Sequence, residues 1–461
     1  MYLTGTHGEK DLDKNGKPLD FQKLSKASVK DFKKIPESPL VYWADAKVRG
    51  LFNSTNVSRY FETREGLTTA DNDLYIREWH EVSLNSVGVN QTNEVESINC
   101  GKKWFPYVKG GAYRKWAGNS DLVVNWQDDG IAVKNNVDEK TGRVRSHNYN
   151  GDYAFKRGFT WSGLTNGGFS VRHVSGGYMF DTKGPMGFPI SNVDLYYVES
   201  FLNSTIASYL LEMLSPTMDF KLGHILKLPL IVDENCVNTI TALAERCIKI
   251  STEDWDSSET SLGFKGNTLL NSPLTKSPIS ASYKNLITVN NERINELLNI
   301  ETQINIEFAK LYDLEDQVNL KIDIADISLN SNPEFTFNKK NSSEKIDMMK
   351  DKTIKEFLSY FVGCAFGRYS LDEEGVILAV QKSSIENYLK RIPNPTFKPD
   401  DDNVIPIIDF DGDWFEDDIS ERFKEFLKVT FGEEHFIENL AFIEEAIGKD
   451  IKKYFVKDFY A

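Results

Sequence analysis

Residues 102–119 read KKWFPYVKGGAYRKWAGN, and the rest of the chain is arranged around this stretch. Cationic side chains alternate there with aromatic rings, and the adjacent Gly110 and Gly111 let the backbone turn sharply or approach a ligand closely. Between Gly101 and Lys183, thirteen basic residues face seven acidic ones, which gives this segment a charge near +6. Because the whole chain has a formal net charge of -15, such a basic segment indicates a site for a polyanion.

The same composition also fits a solvated antiparallel sheet whose rings pack inward. Four rings of this stretch are expected to pack in the core and its loops rather than to stack on a ligand: Trp104, Tyr107, Tyr113 and Trp116. Composition alone leaves the polyanion site and the structural sheet as open alternatives.

Length and composition limit the class of protein. A chain of 461 residues is expected to form two or three domains, and 40% hydrophobic with 27% charged residues is typical of soluble proteins. The four cysteines show no CxxC spacing, which favours a reducing compartment. No apolar run approaches the roughly 18 residues of a membrane span, and the N-terminus has no apolar signal-peptide core. The expected location is the cytoplasm.

The pattern along the chain predicts an α+β protein with three parts. Residues 1–50 are interpreted as a connector, 51–235 as a β-rich domain, and 236–461 as a helical spacer with an acidic C-terminal part. Closely spaced glycines between Leu122 and Ile190 separate short runs of strand-like composition. A helix is predicted over Val193–Leu214, followed by a strand over Leu226–Val232.

The predicted helical part begins with a helix over Cys236–Ile250 and a polar loop over Ser251–Ser280. A long spacer helix is predicted over Tyr283–Leu314, with apolar residues near 3.5-residue spacing, and Phe357–Phe366 predicts another helix. The last 64 residues hold eighteen acidic and eight basic side chains, so charge is segregated between a basic sheet region and an acidic tail.

Several catalytic signatures are missing. The run Asp409–Asp413 resembles a calcium loop but has its glycine at position 4 rather than 6, so no metal site is assigned. The sequence contains no GxSxG, P-loop or GxGxxG motif. An Asp...Asp-x-Lys nuclease site formed by Asp152, Asp181 and Lys183 is retained as a minor alternative, because such triplets often arise by chance.

Four blocks, in the same order, resemble the PglX family, the adenine-specific DNA methyltransferases of BREX phage-defence systems. They are residues 66–73 (GLTTADND), 103–119 (KWFPYVKGGAYRKWAGN), 201–204 (FLNS) and 363–372 (GCAFGRYSLD). The acidic run at 401–407 (DDNVIPI) is also similar. Type IIG restriction-modification enzymes share weaker versions of these blocks.

The resemblance implies only the C-terminal part of that family, which comprises target recognition and helical regions. Family members bind S-adenosylmethionine in a separate Rossmann-like domain that holds an Asn-Pro-Pro-Tyr loop. This chain has no Pro-Pro dipeptide; its nearest strings, Asn332-Pro333-Glu334-Phe335 and Asn394-Pro395-Thr396-Phe397, are interpreted as loop punctuation. No catalytic or cofactor-binding residue is therefore assigned, and whether the chain alone is an enzyme stays open.

The expected function is sequence recognition on double-stranded DNA for catalysis by the methyltransferase domain, with that domain or other BREX proteins as partners. Lysines and arginines would hold phosphates while a few polar side chains read bases. The candidate contacts are Arg64, Thr68, Asn72, Lys103, Lys109, Arg114, Lys115, Arg143, Arg145, Lys156 and Arg157. A stand-alone DNA-specificity module and a type IIG specificity region remain the alternatives.

Overall fold

The computed structural model describes residues 35–36, 44–165, 167–215, 219–270, 277–409 and 417–459. Within these ranges the predicted α+β class is confirmed, since two four-stranded sheets are followed by a helical C-terminal part. Most of the predicted connector 1–50 lies outside the described residues, as does the run Asp409–Asp413 after its first residue. None of the described helices is long and apolar enough to cross a membrane.

Short strands form the two sheets. They are β1 (Phe61–Arg64), β2 (Ile76–Glu78), β3 (Trp104–Val108), β4 (Leu122–Asn125), β5 (Gly158–Trp161), β6 (Val171–Val174), β7 (Met179–Phe180) and β8 (Met186–Pro189). The first sheet has the order β1-β8-β5-β6 with antiparallel pairs. The second has the order β2-β4-β3-β7, in which only β3 and β7 pair in parallel. All five residues of β3 are buried, so the aromatic half of the opening stretch forms a central strand.

α-Helices form most of the other regular elements of the described chain. They are α1 (Ala46–Leu51), α2 (Asn72–Tyr75), α3 (Glu94–Asn99), α4 (Gln127–Lys134), α5 (Leu195–Leu202), α6 (Thr205–Leu214), α7 (Leu222–Leu226), α8 (Glu234–Trp255), α9 (Ile279–Tyr312), α10 (Pro333–Thr336), α11 (Ser342–Ala365), α12 (Ile385–Arg391), α13 (Ile419–Phe431), α14 (Phe436–Ile447) and α15 (Ile451–Lys457). The predicted long spacer helix is α9, with 34 residues.

The first sheet shares one hydrophobic core with helices from both sides of the predicted boundary after Asn235. Phe159 and Trp161 of β5 belong to the same buried cluster as Phe201 of α5 and Tyr312 of α9. The Phe201 and Tyr312 rings stack with centroids 5.7 Å apart and planes 9° apart. The packing therefore does not follow the division between 51–235 and 236–461.

A second core holds the C-terminal helices together. It is built largely from phenylalanines, of which Phe361 contacts Phe423 and Phe426 at centroid distances of 5.2 and 5.3 Å. Ile279, the first residue of α9, belongs to this second core, whereas Ile294 to Tyr312 belong to the first. The long helix thus joins the two cores by lying in both.

The single helix predicted over Val193–Leu214 is wrong: α5 ends before Asn203 and α6 begins after Ser204. Both side chains are buried. The Asn203 amide accepts from the Val171 backbone N–H at 2.9 Å and donates to its carbonyl at 3.1 Å. The Ser204 hydroxyl caps α6 by accepting from Ala207 N–H at 3.2 Å. Side-chain bonds to the backbone, those of Asn203 reaching β6 and that of Ser204 local, therefore interrupt an otherwise continuous apolar pattern.

Two further sequence predictions need correction. The strand predicted over Leu226–Val232 is wrong: Leu226 ends α7, and the residues after it form one isolated bridge, Asn56 to Pro229. The loop predicted over Ser251–Ser280 starts later, since α8 continues to Trp255. It is also packed inward, with Phe264 and Leu269 in the second core.

Candidate nucleic-acid interface

Arg114 and Lys115 are buried, so the structure removes both from the predicted phosphate contacts. Each is less than a tenth exposed. The Lys115 Nζ lies 2.7 Å from Glu301 Oε2 of α9, and Glu301 Oε1 accepts from Trp116 Nε1 at 2.8 Å. Burial alone lowers the pKa of Lys115, but the charge and hydrogen bond of Glu301, together with the charges of Tyr113 and Asp326, outweigh it and the pKa is raised.

The Arg114 guanidinium is enclosed by residues of the helical part. It donates to the Ser328 carbonyl at 3.1 Å and lies 3.7 Å from the buried Asp254 carboxylate. Its Cζ also lies 4.9 Å from the centre of the Trp255 ring. Burial lowers the pKa of Arg114, and Asp254 opposes this shift. Both cations of the Arg114–Lys115 pair therefore hold the loop after β3 against the helices.

The packing role expected for the aromatic rings of this stretch is confirmed for three of them. Trp104, Tyr107 and Trp116 are at most 9% exposed. Tyr113 is partly buried, and its Cβ would lie 2.4 Å from a Cβ at Gly167, so that position has room only for glycine. Aromatic density in residues 102–119 therefore reflects packing.

Further predicted contacts gather around the loop at residues 66–73. Gly66 begins this loop where a Cβ would lie 1.9 Å from the Phe180 carbonyl oxygen, which excludes any larger residue without backbone movement. The hydroxyl oxygens of Thr68 and Thr182 are hydrogen-bonded to each other at 2.7 Å. The Thr69 hydroxyl donates to the Asn72 amide oxygen at 2.9 Å. Thr68 is therefore partly buried against Thr182, whereas Asn72 is exposed in the same loop.

A hairpin at residues 136–147 leads back to this loop, and we call it the basic hairpin. Its turn is held by Asp138, whose N–H donates to the Arg143 carbonyl at 2.8 Å. Asp138 also pairs with Arg145 at 2.8 Å, and hydrogen bonds from Arg145 and Thr141 lower the pKa of its carboxyl to about 2. Thr68 and His147 exchange backbone hydrogen bonds of 2.9 and 3.0 Å, which join the hairpin to the loop.

Most cations of the basic hairpin face solvent. Lys140, Arg143 and Arg145 are all exposed. Arg145 is engaged by Asp138, whereas Lys140 and Arg143 form no ion pair with any residue that the structure describes. Exposed Val137 and Val144, at 42% and 49%, lie on the same hairpin. The two arms of the hairpin meet at one isolated bridge, Val137 to Val144, so unpaired cations and apolar side chains lie together on one exposed turn.

Three more predicted cations lie over tyrosine rings. Arg64 Cζ and Lys156 Nζ lie 4.6 and 4.5 Å from the centre of the Tyr153 ring. Arg157 Cζ lies 5.0 Å from the Tyr196 ring centre. Arg64 also pairs with Glu62, so part of its charge is already compensated, while Lys156 and Arg157 are exposed.

The two predicted lysines beside β3 have different surroundings. Lys109, after the strand, lines a cleft of about 510 Å³ together with Asn72. It also lines an adjoining cleft of about 380 Å³ that reaches Trp255. Lys103, before the strand, lies over the Trp104 ring at 5.3 Å. A strand of five residues separates the two lysines by roughly 20 Å, so the structure does not bring Lys103 to the cleft.

The nuclease alternative finds no support in the surroundings of Asp181. This carboxylate is 6% exposed and accepts from the Tyr107 hydroxyl at 2.7 Å and the Lys183 N–H at 2.6 Å. Burial, followed by the charge of Asp181, raises the pKa of Tyr107 well above its ordinary value. Across the described ranges, no group of three or more His, Cys, Asp or Glu side chains is arranged to hold a metal. Asp181 therefore anchors the backbone.

The Asn332–Phe335 string was expected to lie at a loop boundary, and Asn332 does end a loop immediately before a helix. Its side chain accepts from Glu334 N–H at 3.1 Å and caps α10, which begins at Pro333. Its amide also donates to the Ile324 and Ile327 carbonyls at 2.8 and 2.9 Å. A side chain that is 1% exposed and fully used in this way has no capacity to bind a flipped base.

Sequence reasoning missed an aromatic pair beside the basic hairpin. Tyr149 is 81% exposed and its ring stacks on that of His147, with centroids 5.2 Å apart and planes 9° apart. The signal in the sequence is a single tyrosine within the polar run RSHNYNG at 145–151. Exposure itself depends on how the hairpin docks on the loop at 66–73, which the local sequence does not specify.

Two known proteins are similar to most of this chain, and both are named adenine-specific methyltransferases. The chain is 38% identical over 93% of its length to the adenine-specific methyltransferase PglX of Lacticaseibacillus casei (strain Zhang). It is 34% identical over 90% of its length to the adenine-specific methyltransferase BrxX of Escherichia coli O9:H4 (strain HS). The chain is homologous to part of the PglX-type adenine-specific methyltransferases. It spans 35% and 33% of the two relatives, about a third of each. No family model matches the chain.

The PglX relationship extends over all four blocks that carry the sequence resemblance, and each block has a structural role. Residues 66–73 form the surface loop, which the Thr69–Asn72 hydrogen bond holds. Residues 103–119 form β3 and the buried ion pairs. Residues 201–204 end α5 and cap α6. In the fourth block, Arg368 lies 5.3 Å from the centre of the Trp79 ring and Tyr369 stacks on Tyr360 in the second core. This block joins the sheet region to the C-terminal helices.

Proposed function

We propose that this chain is the DNA target-recognition and helical C-terminal part of an adenine-specific DNA methyltransferase of the PglX type, acting in a BREX phage-defence system. The observation that supports it most is the convergence at the loop of residues 66–73, which carries Thr68 and Asn72 and is joined to the basic hairpin through the Thr68 backbone. Lys109 lines the adjoining cleft with Asn72. This convergence occurs in a chain related to part of the PglX methyltransferases.

Cations and polar groups would contact different parts of the DNA. Lys140, Arg143, Lys156 and Arg157 are exposed and would contact phosphates, which fixes the register of the protein on the duplex. The basic hairpin would lie in a groove, where Thr68 and Asn72 reach base edges from the adjoining loop. Arg145 and Arg64, already paired with Asp138 and Glu62, would position their neighbours or exchange partners on binding.

Methyl transfer would be carried out by another part of the full-length protein. The sequence has no Asn-Pro-Pro-aromatic loop, which in the family holds the target base beside S-adenosylmethionine. The helical part would dock on that methyltransferase domain or on other BREX proteins. We expect the chain alone to transfer no labelled methyl group from S-adenosylmethionine to DNA.

A domain exchange tests the proposal. The corresponding third of the Lacticaseibacillus casei relative is replaced by this chain, and the hybrid is expressed in cells whose DNA is then sequenced for N6-methyladenine. We expect the methylated sequence to follow the source of the exchanged region. A fully active hybrid could instead methylate the DNA sequence that the relative recognises, although the two parent proteins recognise different DNA sequences. That result would place specificity elsewhere.

A stand-alone DNA-specificity module is the second candidate, because the exposed cations need no catalytic domain to bind DNA. In that case the hybrid is inactive, and the isolated chain still prefers one DNA sequence over a scrambled duplex. Binding measured by fluorescence anisotropy on both duplexes separates this outcome from the first.

A further inference from the structure

We infer that Tyr149 and His147 form a platform on which a nucleobase stacks after it has left the DNA double helix. This inference rests on the proposed function and specifies the ligand at one end of the same surface: an unpaired base with its flanking phosphates. Neither residue was among the predicted contacts, and the hairpin cations alone do not account for an exposed aromatic pair.

Exposure sets Tyr149 apart from the other aromatic residues. The sequence contains 8 Trp, 19 Tyr and 29 Phe residues. Of those that lie in the described ranges, Tyr149 is the only one classed as exposed, at 81%. Leaving a ring in water forgoes the hydrophobic stabilisation that burial would give. A chain that buries its other described rings at least partly, yet displays this one, indicates a ligand for that ring.

The geometry of the pair suits a flat ligand. Tyr149 and His147 lie nearly parallel, and the Tyr149 hydroxyl is 3.2 Å from His147 Nδ1, so the two rings are already ordered. The backbone of His147 pairs with Thr68, and the Asn150 amide donates to the Glu65 carbonyl at 2.8 Å. Because both ends of this short segment are anchored, stacking a base on Tyr149 costs little additional ordering.

The surroundings favour nucleic acid over an acidic protein segment. Arg143 and Lys140, unpaired within the described structure, lie on the hairpin that leads to His147. Exposed Val137 and Val144 add apolar contact area. Phosphates beside the cations and a base on the rings satisfy both sets of groups at once, as in single-strand binding sites. Enzymes that modify a base within a duplex first extrude it, and this leaves the complementary base unpaired and available for such a platform.

The test compares two duplexes of identical sequence, one fully paired and one with a single bulged adenine. Binding of the 461-residue chain is measured by fluorescence anisotropy, with 2-aminopurine in place of the bulged base as a second readout. We expect the chain to bind the bulged duplex about tenfold more tightly and to quench 2-aminopurine, because stacking on an aromatic ring favours an unpaired base. Tyr149→Ala should abolish this tenfold preference and the quenching.

Two variants control for other causes. Tyr149→Phe keeps the ring and should keep both the preference and the quenching. Ile437→Ala removes an 82% exposed side chain from α14 and should behave as the parent. If Tyr149→Ala binds both duplexes with the parent's ratio, the platform is wrong although DNA binding stands. If neither duplex binds the parent, the proposed function itself fails and the inference falls with it.

Discussion

The loop that carries Arg114 and Lys115 and the basic hairpin that carries Lys140 and Arg143 belong to one basic segment, yet their charges have opposite surroundings. In the loop, Lys115 pairs with Glu301, which lies 186 residues further along the chain. In the hairpin, Lys140 and Arg143 face solvent without an acidic partner in the described structure. The difference shows that a count of basic residues locates a charged segment but does not separate internal ion pairs from a binding surface.

The largest effect is expected at the buried pair. Glu301→Ala leaves the Lys115 ammonium and the Trp116 Nε1–H without their acceptors. Removing one partner of a buried pair typically costs about 3–5 kcal/mol, because the remaining charge stays desolvated. The free energy of unfolding from urea titration should fall by that amount.

An exposed pair on the same helix provides the control. Glu296 of α9 pairs with Arg246 at 2.5 Å, with side chains 38% and 42% exposed. Glu296→Ala should cost less than about 1 kcal/mol, as exposed pairs do. Equal losses in the two variants would show that Lys115 and Glu301 are not a buried pair in solution.

Glu259, a partly buried carboxyl that forms no ion pair within the described ranges, should respond to pH instead. Burial raises the pKa of Glu259 to about 7, while hydrogen bonds from Ser359 and Tyr369 oppose the shift. Between pH 4.5 and 7 the unfolded chain loses this proton before the folded chain does, so stability falls as pH rises, and the full cost is present above pH 7. A shift of this size corresponds to at most about 3 kcal/mol.

Glu259→Gln removes this titration. The variant should match the parent closely near pH 4.5 and be more stable by up to about 3 kcal/mol at pH 8. Paired urea titrations across this range measure the difference. A difference that stays constant with pH would mean that Glu259 keeps an ordinary pKa.

The smallest effects are expected at the lysines flanking β3. Lys109→Ala should lower the slope of log K against log salt concentration by about one unit, since one phosphate contact is lost. Lys103→Ala, at the other end of the strand, should leave the slope unchanged. Anisotropy measured on one duplex between about 50 and 200 mM salt compares them. Equal slopes in both variants would remove Lys109 from the interface.

Much of the fold could be predicted from the sequence, and the reason is local. Glycine-separated apolar runs specify short strands, and the apolar spacing of Ile294, Leu297, Ile304 and Phe308 specifies the long helix. The burial of Trp104, Tyr107 and Trp116 was likewise expected. The break between α5 and α6 at Asn203–Ser204 was not expected, because it depends on hydrogen bonds to β6.

The candidate surface was less predictable because its members are selected by distant partners. Arg114 and Lys115 have the same local signature as exposed cations, and only Asp254 and Glu301 reveal their burial. Tyr149 lacks any apolar periodicity, and its exposure follows from the pairing of His147 with Thr68. Residue type therefore predicted a basic surface in this segment, while long-range pairing determines which residues form it.

The most direct test of the account compares the salt dependence of DNA binding for two double variants. In the first, Lys140→Ala with Arg143→Ala, the slope of log K against log salt should fall by about one to two units on all duplexes. In the second, Lys115→Met with Glu301→Gln, the buried charges are removed and an acceptor for Trp116 Nε1 is kept, so the slope should equal the parent's. A parental slope in the hairpin variant, with a reduced slope in the buried-pair variant, would contradict the assignment of the basic hairpin to DNA.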